Sequence, residues 1–253
     1  MMPPIRVLQI LPAMDAGGME TFVMNVYRAV DRSQVQFDFL YHYDKPCFYD
    51  AEIEALGGHI TKLTVRQDNN IPKYLHDLRA FFTAHPEYKV IHGHYSGFGM
   101  FYNAVARRCG VPVRAGHSHN TAYEHNLVGQ LDRLMSSRFD HDLTHRFACS
   151  QRAGEMLYGK HPFTVLPNGI DTALYDPATH PGLAANFTPR ALVKGKNQCK
   201  QALQQAVGLQ ENPDVPIIAC VSRLVGHKGF SLVTDSLQEI MGLDVQMVVL
   251  GTG

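Results

Sequence analysis

The chain has 253 residues, of which 45% are hydrophobic and 18% charged, enough apolar material for a packed core in one or two compact units. Its 23 Lys and Arg balance 23 Asp and Glu, so no overall field draws it to nucleic acid or an anionic membrane, and any anion site must be built locally. Five widely spaced cysteines (Cys47, Cys109, Cys149, Cys199 and Cys220) contain no CxxC pair. They suggest neither a disulfide framework nor a thiolate zinc site, and a reducing cytoplasm fits best.

In chain order, the first apolar run is "IRVLQIL" (5–11). Arg6 and Gln9 interrupt it, and no later stretch reaches eighteen uninterrupted apolar residues, so the sequence carries neither an export signal nor a membrane span in this reading. "VQFDFLY" (35–41), "YKVIHGH" (88–94), "VPVRAGH" (111–117), "HRFACS" (145–150) and "FTVLPN" (163–168) are further strand candidates, the first and third of the six buried on both faces. Helical stripes lie between most of them: Phe22, Val23, Val26, Tyr27 and Val30, then Leu75, Leu78, Phe81 and Phe82. Repeated β-then-α units imply a mainly parallel sheet of the α/β class, which binds ligands beyond the carboxyl ends of its strands. Residues 1–168 are expected to form a Rossmann-like domain. A proline-rich stretch with little apolar periodicity follows "PNGID", so 169–195 is expected to be a linker or surface excursion. A second α/β unit, 196–253, then offers a helix at "KNQCKQALQQAV", a strand at "PIIACVS", a helix at "FSLVTDSLQEIM" and a strand at "DVQMVVLG". Two strands do not close a doubly wound domain, so this unit is expected to be incomplete, with apolar surface left exposed.

Four groups of residues could carry chemistry. Gly17 and Gly18, in "DAGGMET", stand where a strand hands over to a helix. They either permit a tight turn that needs positive φ or let an anion approach free backbone amides. The spacing is not GxGxxG, which removes the main support for a nicotinamide or flavin cofactor. "HGH" (92–94) and "HSHN" (117–120) end two neighbouring strand candidates. Four imidazoles could attract a transition metal, but no Asp, Glu or Cys stands at ligand spacing, so no metal site is expected and most of these rings should bond loop backbone. His117 is the candidate to hydrogen-bond a hydroxyl or developing charge. In "SRLVGHKG" (222–229), Arg223 and Lys228 flank a glycine turn where a guanidinium fork and an ammonium could converge on a diphosphate, or could be two solvated cations. "GTG" (251–253) is a strand-end turn at which Gly251 could let a ligand near the backbone.

The order "GGMET", "HSHN", "PNGID", "SRLVGHKG" and "VVLGTG" resembles the retaining glycosyltransferases of the GT-B fold, which use nucleotide-activated sugars. Residues 1 to about 165, with "VRAGHSHNT" and "FACSQRAGEMLYG", resemble the family-four enzymes of exopolysaccharide and capsule synthesis. From about 165 onward, "NGIDTALYDPATHPGLAANFT" and "VSRLVGHKGFSLV" are similar to bacterial glycogen and starch synthases. The two resemblances meet near "PNGID".

The resemblance implies transfer of a sugar from a nucleoside diphosphate, UDP or ADP, to a saccharide hydroxyl with retained anomeric configuration, without a cofactor or metal. It implies that Arg223 and Lys228 stabilise the departing diphosphate, that Gly17, Gly18, His119, Asn120 and Gly251 line the donor phosphate and acceptor sites, and that His117 hydrogen-bonds the donor sugar. Nucleic acid is not implied as a partner, and peripheral membrane association follows only for a lipid-linked acceptor. Asp15 and Ala16 stand where glycogen synthases have a lysine before their paired glycines. An E-x7-E acidic pair is expected downstream of residue 253, so a truncated, inactive remnant that binds a phosphorylated ligand weakly is the rival reading. A sugar-nucleotide epimerase is another, and would need catalytic carboxylates in the first-domain cleft.

Overall fold

The computed structural model describes residues 3–251 except 95, 122, 124–126, 171, 173, 174, 223 and 225–228. The chain divides into two compact units, Met1–Gly169 and Ile170–Gly253.

In the first unit, strand β1 (Ile5–Leu11) leads into helix α1 (Gly18–Ala29), followed by β2 (Val35–Tyr41), α2 (Asp50–Ala55), β3 (Ile60–Lys62), α3 (Val65–Asp68) and α4 (Ile71–Ala84). The alternation continues with β4 (Val90–Gly93), α5 (Ser96–Arg108), β5 (Val113–Ser118), α6 (Leu127–Ser136), β6 (His145–Ala148), α7 (Gln151–Tyr158) and β7 (Thr164–Val165). The strands form one sheet in the order β3-β2-β1-β4-β5-β6-β7, with every pair parallel. This is a Rossmann-like doubly wound arrangement of the GT-B type, and its strand order reverses between β1 and β4. Ligands of such sheets lie beyond the carboxyl ends at that reversal, next to Leu11 and Gly93.

Both faces of the sheet are covered, as parallel strands require. Tyr27 and Met24 of α1 and Ile53 of α2 pack with Phe37, Phe39 and Tyr41 of β2 in one cluster. Leu8 and Ile10 of β1 and Ile91 of β4 pack with Tyr74, Leu78 and Phe82 of α4 and Tyr102 of α5 in the other. The helical stripe of α1 is rotated from its sequence reading: Met24 is fully buried and Val26 is exposed, because the end of β1 and β2 draw the 23–24–27 face inward. Strand β4 alternates half-buried and buried residues instead of being buried throughout.

In the second unit, a short 3-10 turn at Pro189–Ala191 opens α8 (Leu192–Ala206), so helix begins four residues before "KNQC". Strand β8 (Ile217–Val221), α9 (Phe230–Asp235), α10 (Leu237–Met241) and β9 (Gln246–Leu250) follow, and β8 and β9 pair in parallel. The "FSLVTDSLQEIM" stretch is thus two helices that meet at Ser236. Val221, Leu232 and Leu250 of this unit are 74%, 70% and 65% exposed. A pair of strands with three helices leaves much apolar side-chain area in contact with water.

Candidate functional site

Beyond the carboxyl end of β1 the chain turns through Asp15 to Gly17, which caps α1 in extended conformation, φ −113° and ψ 171°. Neither Gly17 nor Gly18 has positive φ. Of the two sequence readings, the turn that needs the left-handed region is excluded, and the approach of an anion to free backbone amides is the one left open. The first helical bond runs from the Thr21 amide to the Gly17 carbonyl at 2.9 Å. The amides of the first turn lie ahead of it and give the helix start its positive end. A Cβ at Gly17 would fall 2.3 Å from Glu20 Oε2, and around Gly18 the nearest atom to such a Cβ is Asn168 Nδ2 at 4.0 Å. Gly18 thus faces open space bordered by the asparagine of "PNGID", whose buried Oδ1 has no hydrogen-bond partner. Asn168 was visible in the sequence only as part of a motif; its place opposite α1 depends on β7 returning to the sheet edge.

The four histidines gather on one sheet face. β4 and β5 pair with Ile91 beside Arg114, His92 beside Ala115 and Gly93 beside Gly116. Partners in a parallel pair point the same way, so two H-x-H patterns in this register put all four rings on one side. Centroids are 4.2 Å apart for His92 and His94, 5.5 Å for His94 and His117, and 4.2 Å for His117 and His119. Phe22 of α1 closes over His117 at 5.0 Å and His119 at 5.8 Å. Asn120, next along the chain, is exposed.

His117 feels the loop backbone at Leu166, while His94 meets side chains. His94 Nε2 lies 2.9 Å from Gln9 Oε1 on β1, and His94 Nδ1 lies 2.9 Å from His119 Nε2. His92 Nε2, both nitrogens of His117 and His119 Nδ1 are buried without a hydrogen-bond partner. Burial, reinforced by its neighbour His117, pushes His92 down to about 3. Burial takes His117 to about 4, against a small upward pull from the Leu166 backbone, and lowers His94 and His119 strongly as well. All four are neutral imidazoles at neutral pH. Gln9 is 2% exposed and seemed in the sequence merely to interrupt a strand; only the β1–β4 pairing shows it as a partner of His94.

His117 and His119 are therefore brought together with Phe22 of the helix that Gly17 and Gly18 begin. Arg223 and Lys228 lie outside the described residues. Gly251 follows β9, and a Cβ there would meet the Ser222 carbonyl at 2.1 Å, so close approach of its own chain already demands a glycine.

A seven-stranded parallel sheet with its glycine turn and histidine strand ends at the carboxyl edge defines a Rossmann-like ligand-binding unit. The family model described as Glycosyltransferase Family 4 matches residues 16–174, and the chain belongs to that family. It is 37% identical over 180 residues to the EpsF glycosyltransferase of Bacillus subtilis (strain 168), covering 68% of this chain and 47% of that one. Its C-terminal part is similar to the glycogen synthase of Streptococcus mutans serotype c, 54% identical over 86 residues, which are 34% of this chain and 18% of that one. Among solved structures, Anabaena HepE in complex with UDP and glucose superposes with a TM-score of 0.66 at 16% identity, over 97% of this chain and 60% of the other. The chain thus spans about half the length of EpsF and under a fifth of the glycogen synthase.

Proposed function

We propose that the protein acts in a retaining glycosyltransferase that moves a sugar from a nucleoside diphosphate to a saccharide hydroxyl, in exopolysaccharide or glycogen-type glucan synthesis. The observation that carries this reading is the open space before Gly18, bordered by the unpartnered Asn168 Oδ1, at the strand-order reversal of a family-four chain. A phosphate or sugar hydroxyl entering there meets the positive end of α1 and an amide able to donate or accept. The HepE complex with UDP and glucose supports a nucleotide-sugar donor by likeness of fold.

In the reaction the anomeric carbon–oxygen bond breaks with its electron pair going to the diphosphate. The acceptor oxygen forms the new bond and its hydroxyl proton is released. The demand on the protein is to stabilise the charge building on the leaving group, and Arg223 and Lys228 take that role as fork and point charge. His117, neutral and carrying one ring N–H, donates to the donor sugar once a hydroxyl reaches it. His119, Asn120, Gly17 and Gly18 are assigned to the acceptor and phosphate positions on the first unit, and Gly251 to a donor contact on the second. The acceptor is a saccharide, and among the described residues no helix is long and apolar enough to cross a membrane. Five cysteines without a disulfide, together with the proposed nucleotide donor, support a cytoplasmic location as part of this reading.

The test is calorimetric titration of UDP and ADP. Lys228→Ala should weaken diphosphate binding by roughly 1 to 3 kcal/mol, the loss of a charge-assisted hydrogen bond. Lys228→Arg should restore little, because a planar fork does not replace a compact ammonium. Unchanged affinity in Lys228→Ala would leave this residue a solvated cation and remove the donor-site reading.

A further inference from the structure

Several ring nitrogens on the four-histidine face are buried without a hydrogen-bond partner. If the Gln9 oxygen accepts from His94 Nε2, then His94 Nδ1 is a lone pair that accepts from His119 Nε2, and His119 Nδ1 is a second lone pair with nothing to receive. His92 Nε2 and both His117 nitrogens are likewise buried and unpartnered. His94 and His117 are 6% and 1% exposed. One ring nitrogen from each of His92, His94 and His117 lies within 4.8 Å of the others. Buried polar atoms left this way are costly, and several on one sheet face call for a shared partner.

We propose that His92, His94 and His117 bind a first-row transition ion of the zinc class, with His119 as a fourth nitrogen. Imidazole nitrogens are the commonest protein ligands of such ions. The donors are all nitrogen, and the described hydrogen-bond partners of the four rings include no carboxylate, which suits zinc, cobalt or nickel and not magnesium. In this arrangement His94 coordinates through Nδ1 while its Nε2–H donates to Gln9 Oε1. That is the outer contact which habitually fixes a ligating histidine's tautomer. The His92, His94 and His117 nitrogens must draw in, and His94 Nδ1 and His119 Nε2 part from 2.9 Å, to reach the roughly 3.3 Å spacing of tetrahedral bonds of about 2.05 Å. Small ring rotations achieve this on adjacent strands whose backbones already stand in register. His119 is half-buried and precedes the exposed Asn120, which gives the ion a way in from the carboxyl edge.

The site rests on the geometry of the first unit alone; it shares His117 and His119 with the sugar and acceptor positions proposed above, and Arg223 and Lys228 take no part in it. Sequence spacing argued against it because the ligands are shared between two strands, two from each motif, and no single motif holds a set.

Tag-free full chain, stripped with chelator and dialysed against ZnCl2, should retain one zinc per chain by elemental analysis, and its melting temperature should rise with free zinc as a folded-state ligand requires. MgCl2 should produce no such rise. His94→Gln should abolish stoichiometric retention, and Gln9→Leu should weaken zinc binding about 10- to 100-fold, as loss of an outer contact does. His180→Gln, on the second unit, should bind as the parent does. Cobalt bound in place of zinc should give a tetrahedral visible spectrum that is lost in His92→Gln, an independent readout should His94→Gln fold poorly. Substoichiometric zinc in the parent, or undiminished retention in folded His94→Gln and Gln9→Leu, would overturn the site. The UDP titration is unaffected by that outcome, so the two readings fail separately.

Discussion

Replacing Asp38 with alanine is expected to destabilise the first unit by about 3 to 5 kcal/mol, the cost of removing one partner from a buried ion pair. Asp38 stands mid-strand in β2, opposite Leu8, and is 1% exposed. Its carboxylate accepts from Arg6 Nε and Nη2 at 2.5 Å, from the His59 amide at 2.8 Å and from the Tyr88 hydroxyl at 2.9 Å. Alanine leaves the guanidinium without its anion and two further donors without an acceptor, so the loss exceeds that of one hydrogen bond. Arg6 and Asp38 tie β1 to β2, and Tyr88 ties in the approach to β4, which are the three strands nearest the glycine turn and Gln9.

The same group sets an acid limit. Burial pushes the Asp38 carboxyl upward, but the Arg6 bond, the His59 amide and the Tyr88 hydroxyl together hold it below its ordinary value. A lowered folded value means that the unfolded chain takes up the proton first. The contribution is fully present above about pH 4, the unfolded value, and is lost as pH falls through the folded one. Urea denaturation at pH 7 and at pH 3 should show a large difference between parent and Asp38→Asn at the higher pH and a smaller one at the lower. Equal differences at both would mean the carboxylate charge contributes nothing.

Phe139→Ala is expected to cost about 3 to 5 kcal/mol by leaving a cavity in the larger core cluster. The ring is fully buried, and two glycines make room for it. A Cβ at Gly99 on α5 would fall 1.8 Å from the ring, and one at Gly116 on β5 would fall 2.7 Å from it. Gly99→Ala should therefore cost roughly 1 to 3 kcal/mol in the parent by overpacking. In the Phe139→Ala background the methyl enters vacated space, so the same change should cost well under 1 kcal/mol, a coupling that denaturant unfolding of the four proteins measures directly. Additive costs would show that Phe139 does not occupy the space the glycines leave. Gly116 immediately precedes His117, so this packing also holds the histidine strand at its height in the sheet.

The strands nearest the site were legible because their chemistry is local. "IRVLQIL" and "VQFDFLY" match β1 and β2 at both ends, and the apolar runs before "HGH", "HSHN" and "PNGID" each contain a strand within a few residues. Strand β3, only three residues at the sheet edge, shows no period to detect. The glycine pair was legible as a strand-to-helix junction, but its purpose was not: backbone angles and the open space toward Asn168 are properties of the folded turn.

What the sequence by itself determined was the α/β alternation, the parallel sheet and the placing of Gly17, His94 and His117 at strand ends, since periodicity and turn chemistry act over a few residues. The tertiary structure alone decided which polar groups lost water. Asp38 in "VQFDFLY" and Gln9 in "IRVLQIL" resemble solvent-facing interruptions until β1 is found between β2 and β4, where each meets partners at least 21 residues away in the chain. The four histidines become one buried group for the same reason. Neither H-x-H pattern specifies its neighbour, and it is the hydrogen-bonded register of β4 on β5, with α1 laid over it, that turns two strand endings into a single cluster of neutral imidazoles, four of whose nitrogens lack a partner.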